Sequence, residues 1–507
     1  MAEIDTEYSM SEKFDVVVIG AGLGGLECAL SLSKHGKRVC VLEKNALLGG
    51  CLQTFRRKGH CLDTGFHYVG GLDKGQMLYK LFSYFGLMNL PWVKMGEQCF
   101  DEVVIGSRRY SLPQGYDNYK QALLQYFPHQ KDGIDEWVGL LKKVGDNTDK
   151  SFEPRSVDEF YTQSLFAQSA YDYLQKIFSD NDIIDVISGP SIKMELNANK
   201  LPLYTFAQIN CSFLQGAYRL RNGGMQIAEQ LRMQIEANGG VVRRNAEVTG
   251  VSAVDGKVGA VVVNGSEHVE ADIFISDLHP ATTINLLAES GLVRNIYRKR
   301  INNLENTFGM FTTHILLKPN TIKYISHNIF AYSESNLWHI EQRPSEGEVK
   351  EILISMNPPE DATNEYVDHL DILTPMQWSE VEKWFGTKIG YRGADYEQMK
   401  QNVAQKCLEM ASKYISGLSD AVSAIYTSTP LTYSDYIGTK DGAAYGIRKD
   451  YNQLMYTILT PRTPVANLFL TGQSLNLHGI LGTSMTAMFT CAEILGMETI
   501  VTDLKNI

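Results

Sequence analysis

At 507 residues the chain exceeds the size at which one hydrophobic core keeps growing, so two domains are expected. A composition that is 44% hydrophobic, with 26 Tyr and 20 Phe, excludes a disordered chain, and a formal charge of −11 argues against nucleic acid as a partner. Cys28, Cys40, Cys51, Cys61, Cys99, Cys211, Cys407 and Cys491 form no CxxC pair or Cys/His cluster, so no metal is expected and the thiols read as reduced, in a cytoplasmic protein.

Residues 1–14 are polar and acidic, without the basic and apolar regions of a signal peptide, and Met10 is a second candidate start. The β-branched run Phe14–Ile19 meets Gly20-Ala21-Gly22-Leu23-Gly24-Gly25. A helical stretch Leu26–His35 follows, then a strand Arg38–Leu42 that ends on Glu43. Strand, tight turn, helix and strand make one βαβ unit of a parallel sheet. From about Gly75 to Ala207 the pattern is mixed helix rich in aromatics, among them Tyr79, Phe82, Tyr84, Phe85, Tyr171 and Tyr173, and reads as the first half of a second domain. The α/β pattern returns with Gly223-Gly224 before a helix to Ala237, a strand Val241–Arg243, a hairpin pair Val248–Val254 and Gly259–Asn264, and a strand Ala271–Ser276. In the region that follows, Arg294, Arg298, Lys299 and Arg300 surround Ile296 and Tyr297. This run reads first as a solvated helix face and second as a peripheral contact with an anionic membrane. Leu468–Leu470 is a short buried strand that enters a glycine turn. The apolar stretch Gly479–Val501 carries Thr, Ser, Cys and two Glu, which suits a buried helix and not a membrane span.

Gly20, Gly22 and Gly25 form a dinucleotide fingerprint. The first makes the turn, the second lets backbone approach a pyrophosphate and the third lets the helix pack on the sheet, with Ala21 and Gly24 in the same loop. Glu43, followed by Lys44, stands where a carboxylate accepts hydrogen bonds from ribose hydroxyls and argues against a 2′-phosphate. This unit fits NAD and FAD equally. Two distant segments decide for FAD, held without a covalent link. Gly49-Gly50 gives a second close backbone approach. Gly472-Gln473 with Gly479-Ile480-Leu481 supplies a turn and a helix N-terminus, where charge on a reduced flavin is stabilised. No second GxGxxG occurs, so no NAD(P)H domain is inferred. A transient donor, NAD(P)H or a reduced carrier protein, would reach the flavin through the substrate cavity.

Several segments resemble, in order, the retinol saturase branch of the phytoene desaturase and carotenoid isomerase family of FAD-dependent oxidoreductases. They are Gly49-Gly50-Cys51-Leu52-Gln53-Thr54-Phe55, Leu62-Asp63-Thr64-Gly65-Phe66-His67-Tyr68-Val69-Gly70, Thr429-Pro430-Leu431-Thr432, Gly442–Gly446 with Tyr445, and Asn467–Gln473. The likeness covers both ends and the central return to the nucleotide domain, while the substrate-domain blocks match only loosely. It implies an α/β fold of amine-oxidase-like architecture, in which a Rossmann-type FAD-binding domain (1–75, 206–284 and 436–507) interleaves with a mixed α/β substrate domain (76–205 and 285–435). It also implies flavin contacts near Thr64, Gly65 and His67, Val248 beside the adenine, and an apolar polyene drawn from a membrane or carrier. One departure stands out: relatives tend to carry Tyr-Pro-Arg before the central glycine pair, where this chain has Arg219-Leu220-Arg221-Asn222.

A flavin exchanges a hydride at N5, so saturation of a double bond calls for an acid near the ring. His67, Tyr68 and Tyr445 are the candidates, with His478 behind them, and His67 reads equally as a structural partner of flavin or backbone. Cys51 has no nearby partner cysteine and reads as packed beside the pyrophosphate. The leading function is reduction of a C=C bond in a retinoid-like or other apolar unsaturated lipid. A desaturase or double-bond isomerase stands second. An amine oxidase, or a flavin-bearing lipid-binding protein without turnover, stays open.

Overall fold

The computed structural model describes residues 13–152, 159–342, 348–505 and 507, so the amino-terminal reading, including Met10, lies outside the described residues. Two seven-stranded sheets organise them. In the first, Val241–Arg243, Val39–Leu42, Phe14–Ile19 and Glu267–Ser276 lie side by side and parallel, and Leu468–Leu470 joins the last of these. Val16, Val17 and Val18 are wholly buried, because a strand covered on both faces reads as a continuous apolar run. The helices Leu23–Lys34 and Gly479–Leu495 pack together in one apolar cluster with this sheet.

The second sheet runs Val422–Ser428, Gly309–Leu317, His369–Met376, Glu351–Ser355, Asn328–Tyr332, Asp101–Ile105 and Arg108–Leu112. Its last two strands fall in a region read from sequence as mixed helix. They form a hairpin that lies parallel to Asn328–Tyr332 through Asp101–Ile105, so a partner more than two hundred positions away fixes them as strands. Helix Leu203–Gln215 runs across the expected boundary at 205/206, and its residues belong to the apolar cluster of the aromatic insert. Other elements differ from expectation mainly in length. The first helix begins at Leu23, which puts Gly24 and Gly25 in its opening turn. Glu267–Ser276 is longer than expected because its first half pairs antiparallel with Lys257–Val263. The carboxyl-terminal apolar stretch breaks at Gly496, whose φ of +89° is left-handed, into Gly479–Leu495 and Met497–Lys505. Among the described residues no helix is long and apolar enough to cross a membrane.

Candidate functional site

The parallel strands of the first sheet end at one edge, and the cleft there is walled by three backbone turns. Gly20, Gly22 and Gly24 come from the first turn and Gly49, Gly50 and Cys51 from the second. Gly472, Gln473, Gly479, Ile480 and Leu481 come from the carboxyl-terminal segment. The turns close on one another. Gly22 and Gly49 form a β-bridge, and a Cβ on Gly50 would lie 3.6 Å from the Gly22 Cα. Gly49, at φ +100°, and Gly472, at φ +93°, occupy backbone conformations that side chains disfavour. A Cβ on Gly24 would stand 3.1 Å from the Gly472 nitrogen, so the first turn can approach the last this closely because position 24 is glycine.

Glu43 is buried at this edge and organises the turn beside it. Its Oε2 accepts from the Ala21 amide and its Oε1 from the Asn45 amide, both at 2.9 Å. Each oxygen keeps a second lone pair, and the residue lines the cleft together with Lys44, whose Nζ donates to the Asp435 carbonyl at 3.0 Å. Ala246, Glu247 and Val248 line the same cleft. Three residues singled out from sequence stand behind the wall and do not line it. Ala21 is wholly buried. A Cβ on Gly25 would meet the Gly20 carbonyl at 2.3 Å, which is the close helix–strand packing expected of the third glycine. Thr64 Oγ1 donates to the Cys51 and Gln53 carbonyls at 3.2 and 2.9 Å.

Asp277 was not found from sequence. It follows directly on strand Glu267–Ser276, at the carboxyl edge where such sheets bind ligands, and that position was the available signal. Its carboxylate lies in the first turn: a Cβ on Gly22 would stand 2.3 Å from Oδ2, and a Cβ on Gly472 2.6 Å from Oδ1. The Gly22 and Gly25 amides donate to it, yet burial outweighs them, with Glu43 adding like-charge repulsion, and pushes its pKa up to about 7.

The cleft continues into a cavity between the second sheet, which contributes Met310, Leu353 and Leu373, and helix Leu203–Gln215, which contributes Gln208, Ile209, Ser212 and Phe213. His67, Tyr68, Tyr445 and His478 all line it, so the structure brings the sequence candidates together. Burial pushes the His67 pKa down to about 4, which leaves the imidazole neutral at pH 7. Its Nδ1 lies 3.8 Å from Asp371 Oδ2, and its Nε2 has no partner among the described residues. Tyr68 donates its hydroxyl to Asp101 Oδ2 at 3.1 Å, and Tyr445 donates to the Ile192 carbonyl at 2.6 Å. Burial pushes both phenols up. The Tyr445 and His478 rings lie 4.6 Å apart. His478 Nε2 is 3.0 Å from the Lys193 carbonyl, which can only accept, so Nε2 carries the proton. Cys51 is pushed up to about 12 by burial, which suits packing and not thiolate chemistry. Lys193 also lines the cavity and carried no sequence signal, since it ends a short 3-10 segment, Gly189–Lys193. Arg219, the departure near the central glycines, turns away from the cavity. It donates to the Tyr324 hydroxyl, the Ile325 and His327 carbonyls and Asn328 Oδ1.

Residues 18–85 match the family model of an NAD(P)-binding Rossmann-like domain. An all-trans-retinol 13,14-reductase of Danio rerio is 28% identical, over 96% of this chain and 86% of its own length. A chloroplastic prolycopene isomerase of Daucus carota is 25% identical, over 86% of this chain and 72% of its own length. Among solved structures, cyclohexylamine oxidase from Brevibacterium oxydans IH-35A aligns with a TM-score of 0.59 at 14% identity, over 97% of this chain and 100% of that one. The architecture is thus mixed α/β with a Rossmann-like domain, in the amine-oxidase-like arrangement expected.

Proposed function

The chain fits the retinol saturase and carotenoid isomerase branch, and from that premise we propose that it is an FAD-dependent oxidoreductase that saturates a carbon–carbon double bond of a retinoid-like or other apolar unsaturated lipid. One observation carries the reading. A cleft of glycine turns suited to a dinucleotide runs into an apolar cavity that ends on titratable side chains.

The cleft fits FAD because Gly22, Gly24 and Gly50 bring bare backbone to its wall, where close packing against Asp277 and Gly472 leaves no room for a Cβ at positions 22 and 24, and Glu43 keeps acceptor capacity toward a ribose. Once bound and reduced by its donor, the flavin would supply a hydride from N5. The chain supplies the rest. Val248 stands at the adenine end, and the N-terminus of helix Gly479–Leu495 favours negative charge at the ring end. Ile209, Phe213, Met310, Leu353 and Leu373 orient a polyene and exclude water. His67, Tyr68 and Tyr445 border the reacting end as hydrogen-bonding groups, His67 in its neutral form. NAD(P)H or a reduced carrier protein is the transient electron source, and the protein works in the cytoplasm. Peripheral membrane contact is made by helix Asn295–Asn302, where Ile296 is 77% exposed beside Arg294 and Lys299. Arg300 donates to the Met455 carbonyl there, which adds exposed Met455 and Tyr456 to the same patch.

Anaerobic mixing of the reduced, FAD-loaded protein with retinol or a carotenoid tests the reading. Reoxidation of the flavin, with a product heavier by two hydrogens, is the expected result. Bleaching of oxidised flavin by the lipid would make it a desaturase, and tight lipid binding with no spectral change would leave only a binding role. The prolycopene isomerase relative favours isomerisation as a second reading, in which product and substrate have equal mass.

A further inference from the structure

Going deeper into the same reaction, and resting on that reading of it, we infer that Lys193 is the proton donor to the double bond, held in place by Tyr68 and Asp101. Its side chain is 10% exposed in the cavity wall, and its Nζ lies 4.1 Å above the Phe213 ring. Nζ donates to the Tyr68 hydroxyl at 3.3 Å and stands 3.6 Å from Asp101 Oδ2. Tyr68 donates onward to that same oxygen, while Asn328 holds the other, Oδ1, at 2.8 Å. One ammonium donor is therefore spent on a rigid partner, in a wall that otherwise consists largely of apolar side chains.

The other candidates are committed elsewhere. Tyr445 and His478 direct their donors at the Ile192 and Lys193 carbonyls, which fixes the backbone of the short segment that carries the lysine. Both tyrosines are pushed up by burial and are poor acids at neutral pH. His67 is neutral, and a neutral imidazole is a far weaker acid than imidazolium. Lys193 moves the other way. Burial, only partly opposed by Asp101, brings its pKa down to about 8, which leaves it protonated at pH 7 yet more acidic than a surface lysine. Among the described residues, the charged or titratable groups facing this cluster are Asp101, Tyr68, Tyr445, His478 and, around Asp101, Arg219, His327 and Cys99.

The step balances. The hydride that the reduced flavin would supply brings two electrons and one hydrogen to the first alkene carbon, leaving the flavin oxidised, and the charge that develops on the neighbouring carbon would be stabilised by the ammonium. An N–H bond of Lys193 breaks, a C–H bond forms at that neighbour, and Nζ keeps the electron pair. The alkene gains one hydride and one proton, and the neutral amine is left hydrogen-bonded to Tyr68. A lysine that only completed a buried ion pair would be indifferent to the reaction, and the two roles separate by experiment.

The test compares Lys193→Met and Lys193→Arg with the parent protein. Expected are unchanged flavin absorbance, a KM for retinol within about threefold, and kcat lower by about 10² to 10⁴-fold in both variants, since arginine keeps the charge but not the acidity. In the parent, kcat should fall as pH rises through about 8, and Lys193→Met should lack that limb. Lys193→Ala should regain rate on addition of ethylamine. Independently of turnover, protein labelled with ¹³Cε-lysine should show a resonance that is absent from Lys193→Arg and has a midpoint near pH 8, below that of the exposed lysines and apart from buried Lys449, which is lowered to about 7. A Lys193→Met variant with parental kcat and pH profile, or a Lys193 resonance titrating with the exposed lysines, overturns the assignment and leaves the reaction standing. A parent protein that hydrogenates no polyene overturns both.

Discussion

Asp277→Asn probes the acid that lies between the glycine turns. In the folded chain the carboxyl is raised from an ordinary 3.8 to about 7, chiefly because it is buried. At about 1.4 kcal/mol per pH unit, the ionised form costs the fold up to about 4 kcal/mol. The sign follows from an acid raised on folding. Its contribution is complete below the unfolded value of 3.8, shrinks as pH rises, and is gone above about 7. Asparagine keeps an oxygen to accept from the Gly22 and Gly25 amides and cannot ionise. In cofactor-stripped protein, the variant should therefore gain on the parent between about pH 4 and pH 7, with the difference level thereafter, as read from urea midpoints. A pyrophosphate beside the same carboxylate adds repulsion. Parental FAD affinity, followed by quenching of flavin fluorescence, should thus weaken by about tenfold per pH unit above about 7, and the variant's should stay flat. Parallel stability profiles, together with equal pH slopes for FAD binding, would refute the argument.

Gly22→Val places side-chain atoms on Asp277 Oδ2 and should yield colourless protein with no bound FAD; a yellow, stoichiometrically loaded variant would contradict the placement of the pyrophosphate. Arg219→Met strands the Ile325 and His327 carbonyls and Asn328 Oδ1, and should lower unfolding free energy by about 3 to 5 kcal/mol in urea titration. A loss under about 1 kcal/mol would show that the buried guanidinium does not anchor the 324–328 segment. Tyr445→Phe frees the Ile192 carbonyl and should lower kcat by about tenfold with FAD affinity unchanged, measured by steady-state assay and flavin titration. An unaltered kcat would remove Tyr445 from the positioning of the Lys193 segment.

The parts of the site that were legible in the chain are those where backbone geometry admits one residue type. Gly22, Gly49 and Gly472 mark turns whose close approach excludes a Cβ, and Glu43 closes a strand at a fixed distance from them. Asp277 escaped because an acid after a strand is ordinary, and its neighbours Gly22, Gly25 and Gly472 lie far from it in the chain. Lys193 escaped for a similar reason: a short 3-10 segment has no periodicity, and Asp101, Tyr68 and Phe213 come from three other elements. The hairpin Asp101–Leu112 was absorbed into its helical surroundings, since its strand character comes from pairing with Asn328–Tyr332. Arg219 belongs to the segment that departs from the resemblance, and its partners Tyr324, Ile325, His327 and Asn328 lie about a hundred positions away, where no local pattern announces them.

The central claim is that the glycine turns at Gly20–Gly25 and Gly472 close on one FAD. Denaturing the purified protein and identifying the released small molecules by chromatography and mass spectrometry measures this directly. One FAD per chain is the predicted result. Release of a nicotinamide dinucleotide in its place, or no nucleotide after incubation with excess FAD, would contradict it.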